Sequence, residues 1–131
     1  GQEAAASPFY VDALSLYYMA SRACRHGVTG LAGVGDVVLQ RTAGRQDDRG
    51  WVNDAMTTAL AACTWLNFER GAEAPLEAAI ASLCEAQGAD GAWPKAALYV
   101  DTPGQGPPSW YGSDELTTSL CIEALAAYRD R

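Results

Sequence analysis

The chain has 131 residues, 49 % of them hydrophobic, with a formal net charge of −7. That apolar content suits one domain with its own core and is too high for a disordered chain. The acidic balance argues against nucleic acid, whose phosphates need a basic surface, and no apolar run approaches the roughly 20 residues that span a bilayer.

Helical periodicity dominates the pattern. Ser7 and Pro8 suit an N-cap and a first turn, so a first helix is expected from Pro8 to about His26, ended by Gly27. A second is expected from about Gly30 to Ala43, weakened by Gly30, Gly33 and Gly35, which close helix packing would explain. Gly44 to Gly50 is polar and reads as a loop. A third helix runs from Asn53 or Asp54 to about Arg70, with Met56, Leu60, Cys63 and Leu66 as its stripe and Gly71 as its stop. Pro75 starts a fourth, which carries Leu76, Ile80 and Leu83 and ends near Gln87. The stretch Gly88 to Gly112 is rich in Gly and Pro; a loop this long often carries function. Ser113 caps a fifth helix to about Tyr128. No convincing strand is expected, although Leu98 to Val100 reads as briefly extended. The expected fold is all-α, about five helices in helical hairpins.

Cys24, Cys63, Cys84 and Cys121 form no CxxC pair, and each falls in an apolar helical pattern. They read as small core residues, and zinc is not expected. His26 is the only histidine, which removes most His-based metal sites and Ser–His nucleophile pairs. No metal and no cofactor are expected. The first residues lack the basic-then-apolar order of a secretory signal, and the expected location is cytoplasmic. Gly1 stands in place of a starting Met; the favoured reading is a single domain excised from a longer protein.

One unit recurs. Asp54-Ala-Met-Thr-Thr-Ala-Leu60 aligns with Asp114-Glu-Leu-Thr-Thr-Ser-Leu120. Each copy follows a glutamine, a glycine and a tryptophan: Gln46 to Trp51, and Gln87 to Trp93. The physics of such a unit is mostly structural. A tryptophan seals a turn, a glutamine at a helix end reaches orphan backbone groups of the adjacent helix, and an acid at a helix N-terminus complements the dipole.

Leu83-Cys-Glu-Ala-Gln87-Gly-Ala-Asp-Gly91-Ala-Trp93 resembles the QW motif of squalene–hopene and oxidosqualene cyclases. It departs from that motif at Ser82, where an aromatic is preferred, and the copy at Gln46 to Trp51 is degraded. Ser7-Pro-Phe-Tyr10 resembles a helix start of bacterial class II diterpene cyclases and related toroid proteins. The likeness covers roughly Ser7 to Tyr128. It implies a partial α/α-toroid, the last two or three repeats of such a protein. Class II cyclases protonate their substrate through an Asp-x-Asp-Asp motif, which this chain lacks; Asp47-Asp48 is only a pair in a turn. Prenyltransferase β-subunits share the toroid but bind zinc through a ligand set not recognisable here.

In such toroids the inner helices point their N-termini at the central cavity. The resemblance then gathers Tyr10, Asp12, Asn53, Asp54, Trp110, Tyr111, Asp114 and Glu115 at one mouth. Asp54 and Asp114 are the candidate acids, with N-terminal helix acids as the plainer reading. Tyr10, Trp51, Trp110, Tyr111 and Glu115 are the candidate substrate contacts, since ring faces stabilise a polyene cation. Tyr17 and Tyr18 read as core, and Asp101 as solvated. Two functions follow: a terpene-cyclase-like domain that binds and cyclises an apolar isoprenoid or polyketide chain, or a non-catalytic domain that docks a carrier-bound chain within a larger synthase. The expected partners are that chain and either the remaining repeats of a larger protein or a second copy. An acid facing an enclosed pocket favours catalysis, and solvated acids beside an open groove favour binding.

Overall fold

The computed structural model describes residues 9–11, 13–69, 73–101 and 106–131. Five helices build the fold, as the periodicity predicts: α1 (Ala13–Arg25), α2 (Ala32–Gly44), α3 (Ala55–Phe68), α4 (Glu73–Ala86) and α5 (Asp114–Arg129). The fold is all-α in its core. Among the described residues no helix is long and apolar enough to cross a membrane.

α3 is the centre. Every residue from Ala55 to Leu66 is buried, so the helix has no solvent face. Its composition permits this, because alanines and threonines let neighbours approach on all sides, and a helix apolar all round belongs in a core. The threonine hydroxyls are not left unpaired. Thr58 donates to the Asp54 carbonyl at 2.7 Å and Thr64 to the Leu60 carbonyl at 2.7 Å. α3 packs against all four other helices, most extensively against α1 and α5, and successive helices also touch. Trp65 fixes α2 to α3: its indole N–H donates to the Thr42 hydroxyl at 2.7 Å, and both residues are buried. A depression of about 500 Å³ is lined by Arg25, Leu66, Glu69 and Asp130 together with Leu76. The C-terminal ends of α1, α3 and α5 therefore meet the start of α4, and α4 runs opposite to those three.

The helix ends follow local chemistry. Gly27, at φ +96°, closes α1. Its N–H reaches the Cys24 carbonyl and the Val28 N–H reaches the Ala23 carbonyl, the paired bonds of a Schellman motif. α3 ends at Phe68, where Glu69 turns left-handed at φ 58° and donates to the Leu66 carbonyl. Gly71, the expected stop, lies outside the described residues.

Two expectations need correction. α1 starts at Ala13, not Pro8, because Phe9–Val11 forms strand β1 instead; Ser7 and Pro8 lie outside the described residues. β1 pairs antiparallel with β2 (Tyr99–Asp101), which pairs with β3 (Ser109–Tyr111), so the long Gly/Pro-rich stretch holds a small three-stranded sheet. Aromatic and β-branched residues favour this pairing. The expected extension of Leu98 to Val100 is met in part by β2, and the Leu98 N–H also reaches the Tyr111 carbonyl at 2.7 Å. Close packing explains only one of the three α2 glycines. A Cβ on Gly35 would crowd the Phe68 ring at 3.2 Å, Gly33 faces open space, and Gly30 precedes the helix at φ +92°.

Candidate functional site

The repeated unit is real geometry, with one shift in its register. In both copies a glutamine amide donates to the carbonyl of the glycine four residues on: Gln46 to Gly50 at 2.9 Å, Gln87 to Gly91 at 2.8 Å. Both glycines have positive φ, +95° and +87°. The next residue closes the turn, Asp47 N–H to the Trp51 carbonyl and Gly88 N–H to the Ala92 carbonyl, both at 2.8 Å. Trp51 therefore matches Ala92, and the partner of Trp93 is Val52. Both of these are fully buried. The Val52 N–H is received by Thr58 at 2.9 Å, and the Trp93 N–H by Thr118 at 3.1 Å. The second threonine of each Thr-Thr pair thus clasps the buried plug of its turn. The Trp93 indole also donates to the Leu83 carbonyl at 2.9 Å. Gln46 reaches the Pro75 carbonyl of α4 as well, at 2.8 Å, whereas among the described residues Gln87 bonds only within its own turn.

The two candidate acids differ in what they hold. Asp54 is the N-cap of α3. Its carboxylate accepts the Thr57 N–H at 2.9 Å, and the Thr57 hydroxyl accepts the Asp54 N–H at 3.1 Å, a capping box. The Thr57 hydroxyl also donates to the Val52 carbonyl. Asp114 sits one position further into its helix, because Ser113 is the N-cap of α5 and accepts the Leu116 N–H at 3.0 Å. Freed from capping, the exposed Asp114 carboxylate accepts the Lys95 N–H at 2.8 Å and ties down the loop after Trp93. Neither acid lines the depression at the helix C-termini or the hollow beneath Trp110.

The expected substrate contacts are spread along the N-terminal end and the sheet. Trp51 is half-buried and packs against the core, its N–H held by the Asp47 carboxylate at 2.9 Å. Tyr10 pairs with Val100 and Val100 with Trp110, so Tyr10 and Trp110 share one cross-strand row. Trp110 is 67 % exposed, the most exposed large apolar residue among those described. Beneath it lies a hollow of about 200 Å³ lined by Lys95, Ala96, Ala97 and Gly112. Gly112 is required there, since a Cβ would overlap the Ala96 carbonyl. Tyr111 is exposed beside it, and Glu115 is exposed on the first turn of α5. Asp12 and the side chain of Asp101 lie outside the described residues.

A second polar group, not singled out by the sequence pattern, lies where α1 and α5 meet beside α3. The Tyr18 hydroxyl donates to the Glu123 carboxylate at 2.7 and 2.9 Å, and Arg22 lies 3.6 Å from the same carboxylate. Burial pushes the Tyr18 phenol and the Cys63 thiol well above their ordinary values, and the Glu123 carboxylate adds to both shifts. Cys121 is pushed up to about 12 by burial and then by Asp54. Tyr18 is thus a half-buried donor, not a plain core residue. Its signal in the sequence was only a tyrosine in the apolar pattern of α1. Cys63 and Cys121 are core as expected; Cys84 is exposed and Cys24 half-buried. Among the described residues no group of three His, Cys, Asp or Glu side chains gathers that could hold a metal ion. No protein-family model, no curated protein and no solved structure matches the chain.

Proposed function

We propose that the chain is a module of helical-hairpin repeats of the toroid type that binds an apolar chain without cyclising it. The observation that carries this reading is the use of the two acids. Asp54 and Asp114 hold backbone N–H groups at a helix start and a loop, while the exposed Trp110 lines an open hollow. A buried, protonated acid in an enclosed cavity is what alkene protonation needs. An exposed indole beside small residues is what an apolar chain needs for contact area. The toroid resemblance supports the same substrate class, an isoprenoid or polyketide chain. The four free thiols support a reducing, cytoplasmic setting.

The cyclase-like reading stands second. It draws on Glu123, a half-buried carboxyl set between Tyr18, Cys63 and Arg22 on the facing sides of α1, α3 and α5. The test is one panel with two readouts. Squalene, prenyl diphosphates and polyene thioesters are titrated against tryptophan fluorescence, and products are read by mass spectrometry. Saturable binding that drops at least tenfold in Trp110→Ala, with no ring product, is the expected result. A cyclised product that disappears in Glu123→Gln or in the Asp54→Asn/Asp114→Asn pair would replace binding with catalysis.

A further inference from the structure

The Thr-Thr unit has a third copy at the start of α1. Asp12-Ala-Leu-Ser-Leu aligns with Asp54-Ala-Met-Thr-Thr and Asp114-Glu-Leu-Thr-Thr. Leu14 and Met56 are both fully buried, and Ser15, Thr57 and Thr117 are all buried. In this register Leu16 stands where Thr58 and Thr118 stand, and Met19 stands where Ala61 and Cys121 stand. Thr118 is half-buried, and the other three counterparts are covered. Thr58, Ala61 and Cys121 are each 0 % exposed. On α3 that cover is α2 and Val52; on α5 Trp93 meets Thr118, and Cys121 faces the Ala55 carbonyl of α3 at 3.8 Å. On α1 the same face is bare, with Leu16 57 % and Met19 63 % exposed. Beside it the Ser15 hydroxyl is buried and has no hydrogen-bond partner among the described residues. By the counterpart on α3, what fits this face is therefore a helix like α2.

The molecule carries one such helix with an apolar face to spare. α2 exposes Val34 and Val37, one turn apart, and Val28 is exposed in the connection before it. The exposed part of α4 is more acidic, with Glu77 and Glu85. The first hairpin is also free of the acidic excess of the chain. From residue 13 to 44 it holds Arg22, Arg25 and Arg41 against Asp36 alone, within a total charge of −7. Two copies can approach there without setting acid against acid.

We propose that this chain pairs with a second copy through its first hairpin, Leu16 and Met19 of one protomer packing on Val34 and Val37 of the other. The contact is reciprocal under a two-fold axis, so it closes as a dimer. It continues the packing by which α2 covers α3 within one copy, and it does not depend on the ligand reading, because Trp110 lies on the small sheet and not on this hairpin.

Sedimentation velocity of the full chain over a concentration series tests it. A concentration-dependent monomer–dimer equilibrium is expected. Leu16→Glu and Val37→Glu alter exposed residues, so each gives a folded monomer with unchanged circular dichroism and unchanged fluorescence response at Trp110. A Met19→Glu chain mixed with a Val37→Lys chain re-forms the dimer, while either alone stays monomeric. A chain that is monomeric at its highest soluble concentration overturns the proposal. So does a dimer that survives both Leu16→Glu and Val37→Glu.

Discussion

Asp54 and Asp114 share a place in the repeat and not a job, and the difference sets their mutational cost. Asp54 caps α3, the helix on which everything else packs, and receives and returns a hydrogen bond with Thr57. Asp54→Ala is expected to cost about 1–2 kcal/mol of stability, in the usual range for a lost N-cap. Asp114→Ala removes one exposed contact to Lys95 and is expected to cost less than about 1 kcal/mol. Urea unfolding of both variants measures the difference, and equal losses would contradict the assignment of separate roles. The thiols and the phenol give a second expectation, in pH. Cys63 and Tyr18 have folded-state values raised above their ordinary 9.0 and 10.0, chiefly by burial. Their neutral forms therefore support the fold fully below about pH 9, and that support is lost as pH rises, since the unfolded chain releases its protons first. The melting temperature should hold steady from neutral pH to about pH 9 and then fall. Cys63→Ser should flatten the fall by removing a thiol whose ionisation is suppressed by burial and by Glu123. An alkaline limb of the same slope in wild type and variant would place the effect elsewhere.

At the scale of elements, the five helices were legible because each carries several apolar residues at helical spacing and a recognisable end, such as Gly27 or Ser113. The start of α1 was not. Ser7 and Pro8 make good helix-opening chemistry, yet Phe9–Val11 has a partner at Tyr99–Asp101, about ninety residues away. A three-residue strand shows no alternation to read, and its partner cannot be inferred from neighbours in sequence. The repeat was legible as well, but its tryptophans misled. Trp51 and Trp93 look equivalent as letters, whereas the constant spacing is Gln-x3-Gly followed two residues later by the buried plug, Val52 or Trp93. This equivalence predicts an ordering of costs. Trp93 is buried on all sides with its N–H satisfied, so Trp93→Ala should cost about 3–5 kcal/mol. Trp51 is half-exposed, and Trp51→Ala should cost less than about 2 kcal/mol. Thermal unfolding of the two variants separates the readings, since a toroid QW pair would make both tryptophans equally costly. Gly50 belongs to the same turn. A Cβ there would overlap the Ala78 carbonyl of α4 and would also sit at φ +95°, so Gly50→Ala should cost more than the ~1 kcal/mol of a positive φ alone.

At the scale of the whole molecule the arrangement is a hub, with α3 in contact with every other helix and without a solvent face of its own. The candidate site was less legible than the fold for this reason. A cavity mouth was expected where α1, α3 and α5 begin, but the starts of α3 and α5 are occupied by capping bonds and by the clasped plugs Val52 and Trp93. The larger depression opens at the other end, among Arg25, Glu69 and Asp130. Tyr18 and Glu123, 105 residues apart in sequence, meet only because α3 holds α1 and α5 on adjoining sides. A hub also shapes how the protein opens. An α3 amide exchanges only when its neighbours have left, and on every side those neighbours are core. Hydrogen exchange should therefore show the slowest amides from Ala59 to Trp65, with protection equal to the global unfolding free energy. α2 is attached through the Trp65–Thr42 bond, the close approach of Gly35 to Phe68, and the packing of Leu39 and Ala43 on the core, and should exchange by partial opening at lower free energy. Thr42→Val deletes the acceptor of the Trp65 indole and should widen that gap, speeding exchange in α2 while leaving the ranking of α3 unchanged. If α2 and α3 instead lost protection together in wild type, with one denaturant dependence, the hairpins would be a single cooperative unit and the hub would not be the last element to open.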